Sequence, residues 1–143
     1  MFCQAERAFN TKLTTRLENN GFSVFLPQRD GVKTSEEPLL ENTELERCEK
    51  IFTFDRNKIL KADVFLMILD GRVPDEGVCV ASGIAHEDKV INNREKLIIG
   101  YLTDTSVLAE NFQLNPMIRG TLDFLVDNED DLIQIIKLHQ KGF

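Results

Sequence analysis

Residues 63–71 read DVFLMILDG, and this stretch decides the fold. The apolar run within it, Val64 to Leu69, is typical of a strand that is buried on both faces of a parallel sheet. The polar pair Asp70-Gly71 ends the run and marks the carboxyl end of the strand. Because parallel neighbours are joined by crossover connections, helices are expected before and after this strand.

The rest of the chain supplies that alternation. Apolar periodicity and short β-rich runs predict helices over 4–19, 42–61 (one helix or two), 77–87 and 130–140, strands over 22–26, 96–102 and 123–126, and loops over 28–38 and 103–121. The pattern predicts an α/β domain over residues 1–143, with a parallel sheet covered on both faces. Ligands of such sheets bind at the carboxyl ends of the strands.

Composition narrows the class of partner. The chain has 143 residues and a formal net charge of -7, which argues against a nucleic acid polymer or an anionic membrane as its main partner. Its three cysteines are far apart and show no metal-ligand spacing, so we expect a reducing cytoplasm and neither a disulfide framework nor a metal site. The N-terminal residues lack the apolar stretch of a signal peptide, and no run is long enough to span a bilayer.

Asp55 is the first candidate for chemistry. It lies in a helical segment on the same stripe as four apolar residues, namely Cys48, Ile51, Phe52 and Ile59. A carboxylate on an apolar stripe must be paired or line a cavity, because burying it alone is costly. The alternative is a structural carboxylate that accepts a hydrogen bond from a nearby backbone N–H.

The second candidate is the connection that follows the buried strand, residues 69–77. Asp75 stands where a helix of small residues begins, and Gly77 allows a close approach to the backbone. The plain interpretation is that Asp75 caps the helix. Gly83, further along, is expected to let the helix pack tightly on the sheet.

Taken together, these segments resemble the nucleoside 2-deoxyribosyltransferase family. That family has a helix of the form D-x-x-x-I-x-x-A-D, a strand ending in D-G, and then D-x-G-x-x-x-E-x-G. This chain reads DRNKILKAD over 55–63, LDG over 69–71 and DEGVCVASG over 75–83. The opening FCQAERAFN, the run VFLPQ over 24–28 and the late segment LNPMIRG over 114–120 also resemble the family.

The resemblance implies a flavodoxin-like α/β sandwich that transfers a 2-deoxyribosyl group between nucleobases, without a cofactor, through a glycosyl-enzyme. Asp55 and Asp75 match positions that act on the base and orient the nucleophile, and Asn115 matches a position near the sugar and base. We expect substrate contacts at Gln28, Asp70, Gly71, Gly77, Asn115 and Met117. The implied partners are deoxynucleosides, or deoxynucleotides, and free nucleobases, and the family implies a homo-oligomer.

Two departures bear on this interpretation. The family's nucleophilic glutamate falls on Ala81, which has no atom that can attack C1′. Glu76 and Glu87 lie about 500° and 600° away around a helix, so neither points where residue 81 does. Three explanations fit: an inactive variant, a relative that binds without transferring, or an enzyme that uses water directly.

The second departure is the family's opening strand, of the type I-Y-L-A-G-P, which would precede Met1-Phe2. Such a strand is central in a flavodoxin-like order, so its absence should remove ladder hydrogen bonds and core. We therefore predict four parallel strands and lowered stability.

Rival functions remain open. Some relatives hydrolyse deoxynucleoside 5′-monophosphates, and Arg119 in the MIRG stretch would face the phosphate, unless it is a surface residue. Ala81 also suits a module that binds nucleosides or nucleotides without catalysis. A plain assembly domain would respond to no nucleoside.

Overall fold

A computed structural model describes residues 3–33, 43–70, 75–103 and 114–142 of the chain. Two compact units can be distinguished, Met1–Lys58 and Ile59–Phe143. The single domain predicted from the sequence remains a prediction. Among the described residues, no helix combines the length and the apolar character needed to cross a bilayer.

The first unit consists mainly of helices. Helix α1 spans Gln4–Asn19, as predicted, and buries Leu13 and Leu17. Helix α3 spans Glu44–Lys61 as one continuous helix. It begins with a reciprocal cap in which Thr43 Oγ1 accepts from the N–H of Glu46 and Glu46 Oε2 accepts from the N–H of Thr43.

A short helix, α2 (Pro27–Asp30), replaces the beginning of the loop that was predicted over 28–38. Proline at its first position suits a helix start, because the missing N–H has no partner to lose there. The backbone N–H of Leu26 donates to Asp30 Oδ2 at 2.9 Å, which satisfies a donor in front of the turn.

The strand predicted over 22–26 is wrong. Residues 22–26 have no strand pairing, although the backbone at Leu26 is extended (φ -108°, ψ 110°). Their backbone groups bond locally instead: the N–H of Phe22 donates to Leu17 O, and Val24 O accepts from Arg29 Nη2. A β-rich run becomes a strand only when a neighbouring strand pairs with it, which the run itself does not specify.

The second unit contains a parallel sheet of three described strands in the order β1-β2-β3, rather than the four predicted. Strand β1 is Val64–Ile68, β2 is Leu97–Tyr101 and β3 is Phe124–Val126. The register places Val64 opposite Leu97 and Ile99 opposite Phe124. All five residues of β2 are buried, so both faces of the sheet are covered at its central strand.

The helices predicted after β1 and after β3 are confirmed. Helix α4 spans Glu76–Ile91 between β1 and β2, and both strands contact it. A helical turn, α5 (Pro116–Arg119), corrects the prediction that 103–121 is irregular throughout. Helix α6 spans Glu129–Gln140 and packs on β2 and β3. One cluster of the core consists of Met67, Leu69, Ala85, Ile98, Leu102 and Leu122. Helix α6 buries Leu132, Ile133 and Ile136.

The glycine that is tightly packed in this unit is Gly100, whereas the sequence predicted close packing at Gly83. A Cβ on Gly83 would meet no described atom within 4 Å, so the predicted close packing of helix on sheet at Gly83 is wrong. A Cβ on Gly100, in the middle of β2, would instead lie 2.6 Å from Leu69 Cδ1 and 2.8 Å from Leu122 Cδ1. The bare backbone at Gly100 therefore admits two leucines to the core.

A buried ammonium group anchors the end of α3. Lys96, just before β2, has a side chain that is only 1% exposed. Its Nζ donates to the carbonyls of Ile59 and Ala62 at 2.6 and 2.5 Å. The carbonyls at a helix end have few donors within the helix. Lys96 supplies a donor to Ile59 O, which also accepts from the N–H of Ala62, and to Ala62 O, one residue after the helix.

Asp88 of α4 neutralises that charge. Its Oδ2 lies 3.3 Å from Lys96 Nζ, and its Oδ1 accepts from the Asn92 amide at 2.8 Å. The Asn92 amide and Lys96 together hold the pKa of Asp88 below its ordinary value. Burial lowers the pKa of Lys96, and the hydrogen bond and charge of Asp88 oppose that shift. Within the second unit, the pair thus joins the last turn of α3 to α4 and β2 at the amino-terminal edge of the sheet.

We predict that Asp88→Asn lowers the free energy of unfolding by about 3 kcal/mol at pH 7, because it leaves a buried ammonium without its counter-charge. A carboxylate whose pKa is depressed on folding stabilises the fold above its unfolded pKa, and that contribution disappears as pH falls through the folded pKa. The difference between parent and variant should therefore close below pH 3.8, the ordinary value for aspartate.

Urea denaturation at several pH values between 3 and 7 measures this. Glu87→Gln, an exposed change one residue away, is the matched control and should stay within about 0.5 kcal/mol of the parent. A difference for Asp88→Asn that persists undiminished at pH 3 would show that its carboxylate charge is not the cause.

Candidate functional site

The carboxyl end of β1 carries Asp70, whose carboxylate bridges to the next strand. Its Oδ1 accepts from the backbone N–H of Thr103 at 2.6 Å, and its Oδ2 accepts from the Thr103 hydroxyl. Thr103 follows β2, so Asp70 fastens the ends of β1 and β2 together. Gly71, the other residue predicted here, lies outside the described residues.

Asp75 caps helix α4, as its position in the sequence predicted. Its Oδ1 accepts from the backbone N–H of Val78 at 3.1 Å. Gly77 lies beside this carboxylate, and a Cβ added there would come within 3.0 Å of Asp75 Oδ1. Gly77 therefore keeps space for the Asp75 side chain at the helix N-terminus, where the helix dipole favours a negative charge.

Position 81 lies at the margin of the core-facing stripe of α4. Val78 and Ala85, three residues before it and four after it, both pack on the core of the unit. Ala81 itself is half-buried. The exposed Glu76 and Glu87 project elsewhere on the helix.

Asn115 begins the helical turn α5. Its Oδ1 accepts from the N–H of Met117 at 2.9 Å, which orients the amide so that its NH₂ group points away from the cap. Both Asn115 and Met117 are exposed, and Met117 keeps 82% of its accessible surface. The turn lies against α4, so Asn115 and position 81 belong to neighbouring elements of the second unit.

Asp55 lies in α3, in the first unit, and is half-buried. Its Oδ1 is buried without a hydrogen-bond partner among the described residues, so the local backbone bond that was the plain alternative is not made by this oxygen. Desolvation by burial raises the pKa of Asp55. The apolar stripe around it is only partial, since Cys48 is exposed and Phe52 is 53% exposed.

Gln28 is held by α1. Its Nε2 donates to Arg7 O at 2.9 Å and to Thr11 Oγ1 at 3.2 Å, while its Oε1 accepts from Asn10 at 3.3 Å. These contacts use both donors of the amide. The structure thus gives Gln28 a role in joining α1 to the turn at Pro27.

Sequence reasoning missed three hydroxyl groups near these residues. Thr103 falls at the start of the loop predicted over 103–121, and the sequence does not mark it as the partner of Asp70. Ser82 and Thr121 have their hydroxyls 2.6 Å apart, although 39 residues separate them in the chain. No local pattern marks such a pair, because it forms only when α4 and the segment after α5 pack together.

The described residues contain no group of three His, Cys, Asp or Glu side chains that could hold a metal ion. A cavity of about 410 Å³ lies at the ends of β2 and β3, beside α6; its lining includes Leu102, Leu125, Asp127, Asp131 and Ile135. It contains none of the residues predicted to act on a substrate. Around α4 the second unit presents the carboxyl of Asp75 and the amide of Asn115, and the carboxyl of Asp55 belongs to the first unit.

Comparison with known proteins bears on both family and fold. The model of the family described as nucleoside 2-deoxyribosyltransferase matches residues 1–132. A crystal structure described as a conserved protein from Enterococcus faecalis V583 is similar with a TM-score of 0.72 and 21% identity, over 96% of this chain and 92% of that chain. At that identity the likeness shows the fold alone, and it confirms the predicted α/β class. No curated protein matches significantly.

We predict that Asp55→Asn stabilises the protein at pH 7, by about 1 kcal/mol at most, because a partly buried charge without a partner is removed. The pKa of Asp55 is raised on folding, so its ionised form disfavours the folded state. That penalty is absent below the ordinary value of 3.8 and appears as pH rises through the folded pKa.

Thermal melts of parent and variant at pH 3 and pH 7 test this. Glu49→Gln, an exposed change on the same helix, controls for the general effect of removing one negative charge. The explanation by desolvation is contradicted if Asp55→Asn is no more stable than the parent at pH 7. It is also contradicted if the gain in stability of Asp55→Asn over the parent is as large at pH 3 as at pH 7.

Proposed function

Because this chain belongs to the nucleoside 2-deoxyribosyltransferase family, we propose that it binds deoxynucleosides and nucleobases in a site for 2-deoxyribosyl transfer. In the chain as it stands, transfer is impaired because Ala81 occupies the position of the nucleophile. We further propose that it serves nucleotide salvage in the cytoplasm, as a homo-oligomer.

The observation that carries the proposal is the Asp55 carboxyl. It matches the family position that acts on the base, and its Oδ1 is buried with no described partner. A carboxyl whose pKa is raised by burial retains a proton closer to neutral pH than an exposed one does. Such a group suits the protonation of a departing nucleobase and the removal of a proton from an arriving one.

The proposed reaction has two balanced steps. A carboxylate at position 81 attacks C1′ of the deoxynucleoside. A C1′–O bond forms, the N-glycosidic bond breaks, and its electron pair goes to the base nitrogen, which takes a proton from Asp55. A second base then attacks C1′, gives its proton to Asp55 and releases the carboxylate. With Ala81 the first bond has no oxygen to form it.

The remaining residues receive roles in binding and orientation. Asp75, held at the start of α4 by the N–H of Val78, would orient a carboxylate placed further along the same helix. Asn115 would donate from its amide to the sugar or the base, since its Oδ1 is already engaged by Met117. Gly77, Met117 and the strand end at Asp70 would line the site around them.

Hydrolysis of deoxynucleoside 5′-monophosphates is the runner-up from the sequence, and it depends on Arg119. Arg119 is exposed, and its Nη1 donates to Leu122 O at 3.4 Å. Nothing in this geometry aims it at a phosphate, so we place the nucleoside ahead of the nucleotide as substrate.

We predict that Ala81→Glu restores base exchange. Incubated with deoxyinosine and adenine, the variant should form deoxyadenosine at least about a thousandfold faster than the parent. This factor is smaller than the loss in rate usually seen when the nucleophile of an enzyme with a covalent intermediate is removed. Chromatography of the bases and nucleosides follows the reaction. Ala81→Gln has the same shape without a nucleophilic carboxylate and should stay as slow as the parent.

Each other result has a definite meaning. Exchange by the parent itself would show that another group attacks C1′. Release of hypoxanthine without deoxyadenosine, or turnover of deoxyinosine 5′-monophosphate alone, would favour the hydrolase. If the folded Ala81→Glu protein is stabilised by deoxyinosine but turns nothing over, the chain is a binding module.

A further inference from the structure

The hydroxyl of Ser82 is buried beside the proposed nucleophile position. Ser82 follows Ala81 in α4 and is 1% exposed. Its Oγ lies 2.6 Å from Oγ1 of Thr121, the second residue after the helical turn α5. A serine inside a helix is ordinarily no better than neutral for stability, so its burial here depends on this partner.

The direction of the bond follows from counting protons. Thr121 Oγ1 donates to Ile118 O at 2.8 Å. A hydroxyl carries one proton, so Thr121 accepts from Ser82 rather than donating to it. The result is a chain of two hydrogen bonds that runs from Ser82 through Thr121 to the carbonyl of Ile118.

That chain ends in the turn that Asn115 caps. The N–H of Ile118 donates to Asn115 O at 2.9 Å, so Asn115 and Ile118 belong to one rigid helical turn. Ile118 also packs against the core from one side. The carbonyl of Ile118 accepts from the Thr121 hydroxyl, which in turn accepts from Ser82 of α4. The turn α5 is therefore tied to α4 at Ser82, the residue that follows position 81.

We propose that Ser82 is a positioning residue, which acts through Thr121 to hold the Asn115 amide at a set place relative to position 81. The inference deepens the proposed function and rests on it. Breaking the bond lets the turn at Asn115 shift along α4, so the substrate loses an oriented donor while the reacting carboxylate stays in place.

The test uses the full chain carrying Ala81→Glu, with deoxyinosine and adenine. Ser82→Ala in that background should raise KM for deoxyinosine by about tenfold, because a small displacement of a binding group is costly. The value of kcat should change by less than about threefold, because the reacting groups are untouched. Thr121→Ser keeps the relaying hydroxyl and should retain the low KM, whereas Thr121→Val should raise it as Ser82→Ala does.

A purely structural role is separated by a matched control. Ala85→Gly lies three residues further along the same helix, is also buried, and destabilises α4 because glycine is a poorer helix former than alanine, without touching the hydroxyls. It should lower Tm but leave KM unchanged. If Ala85→Gly and Ser82→Ala raise KM alike, or if Ser82→Ala leaves KM unchanged, the positioning role is overturned.

The double variant Ser82→Ala with Thr121→Val adds a second criterion. If both residues act along one chain, its KM should equal that of Thr121→Val alone. Additive effects would overturn the relay. If the Ala81→Glu parent transfers nothing, the proposed function fails and this inference fails with it, whereas a working parent with an unaffected Ser82→Ala protein overturns the inference alone.

Discussion

The buried ammonium of Lys96 is the interaction on which the described part of the second unit depends. Its Nζ contacts the carbonyl of Ile59 at the end of α3, the carbonyl of Ala62 just after it, and the carboxylate of Asp88 on α4, directly before β2 begins. Desolvating a lysine is expensive, so this arrangement is favourable only when every proton of the ammonium has an acceptor. Three different elements must therefore pack together before the ammonium is fully bonded. We infer that this site specifies how α3, α4 and β2 are arranged more than it adds net stability.

The polar groups at the opposite edge of the sheet are organised differently. Asp70, Asp75 and Asn115 each accept a hydrogen bond from a backbone N–H through a side-chain oxygen. Those bonds fix the strand end or the helix start at which each side chain lies. Asp55 alone among the predicted site residues keeps a buried oxygen without a described partner. A buried carboxylate oxygen without a partner costs stability, and such a cost is what the proposed role of Asp55 in proton transfer would entail.

How far the sequence could predict this structure depends on how local each feature is. The apolar runs at 64–68 and 97–101 and the periodicity of α1, α4 and α6 are properties of neighbouring residues, and they were identified correctly. The run at 22–26 failed because a strand requires a partner that lies elsewhere in the chain. The turns α2 and α5 have four residues each, too few to show a helical period. Two hydrogen-bonded pairs, Ser82 with Thr121 and Asp70 with Thr103, form only through tertiary packing. No spacing in the sequence therefore predicts them.

The residue at position 81 affects both the stability of α4 and the proposed chemistry. A glutamate at this half-buried position would place a further carboxylate on the helix whose first turn already holds Asp75 and Glu76, and its partial desolvation would cost free energy. Alanine removes that cost and is the best helix former. The elements that would surround a nucleophile stay in place, because each is held by contacts that do not involve residue 81: the cap at Asp75, the turn at Asn115 and the hydroxyl pair behind it. Under the proposed function, the loss of the nucleophile removes the bond-forming step and leaves the proposed binding residues in place, so nucleoside recognition and deoxyribosyl transfer would be separable in this chain.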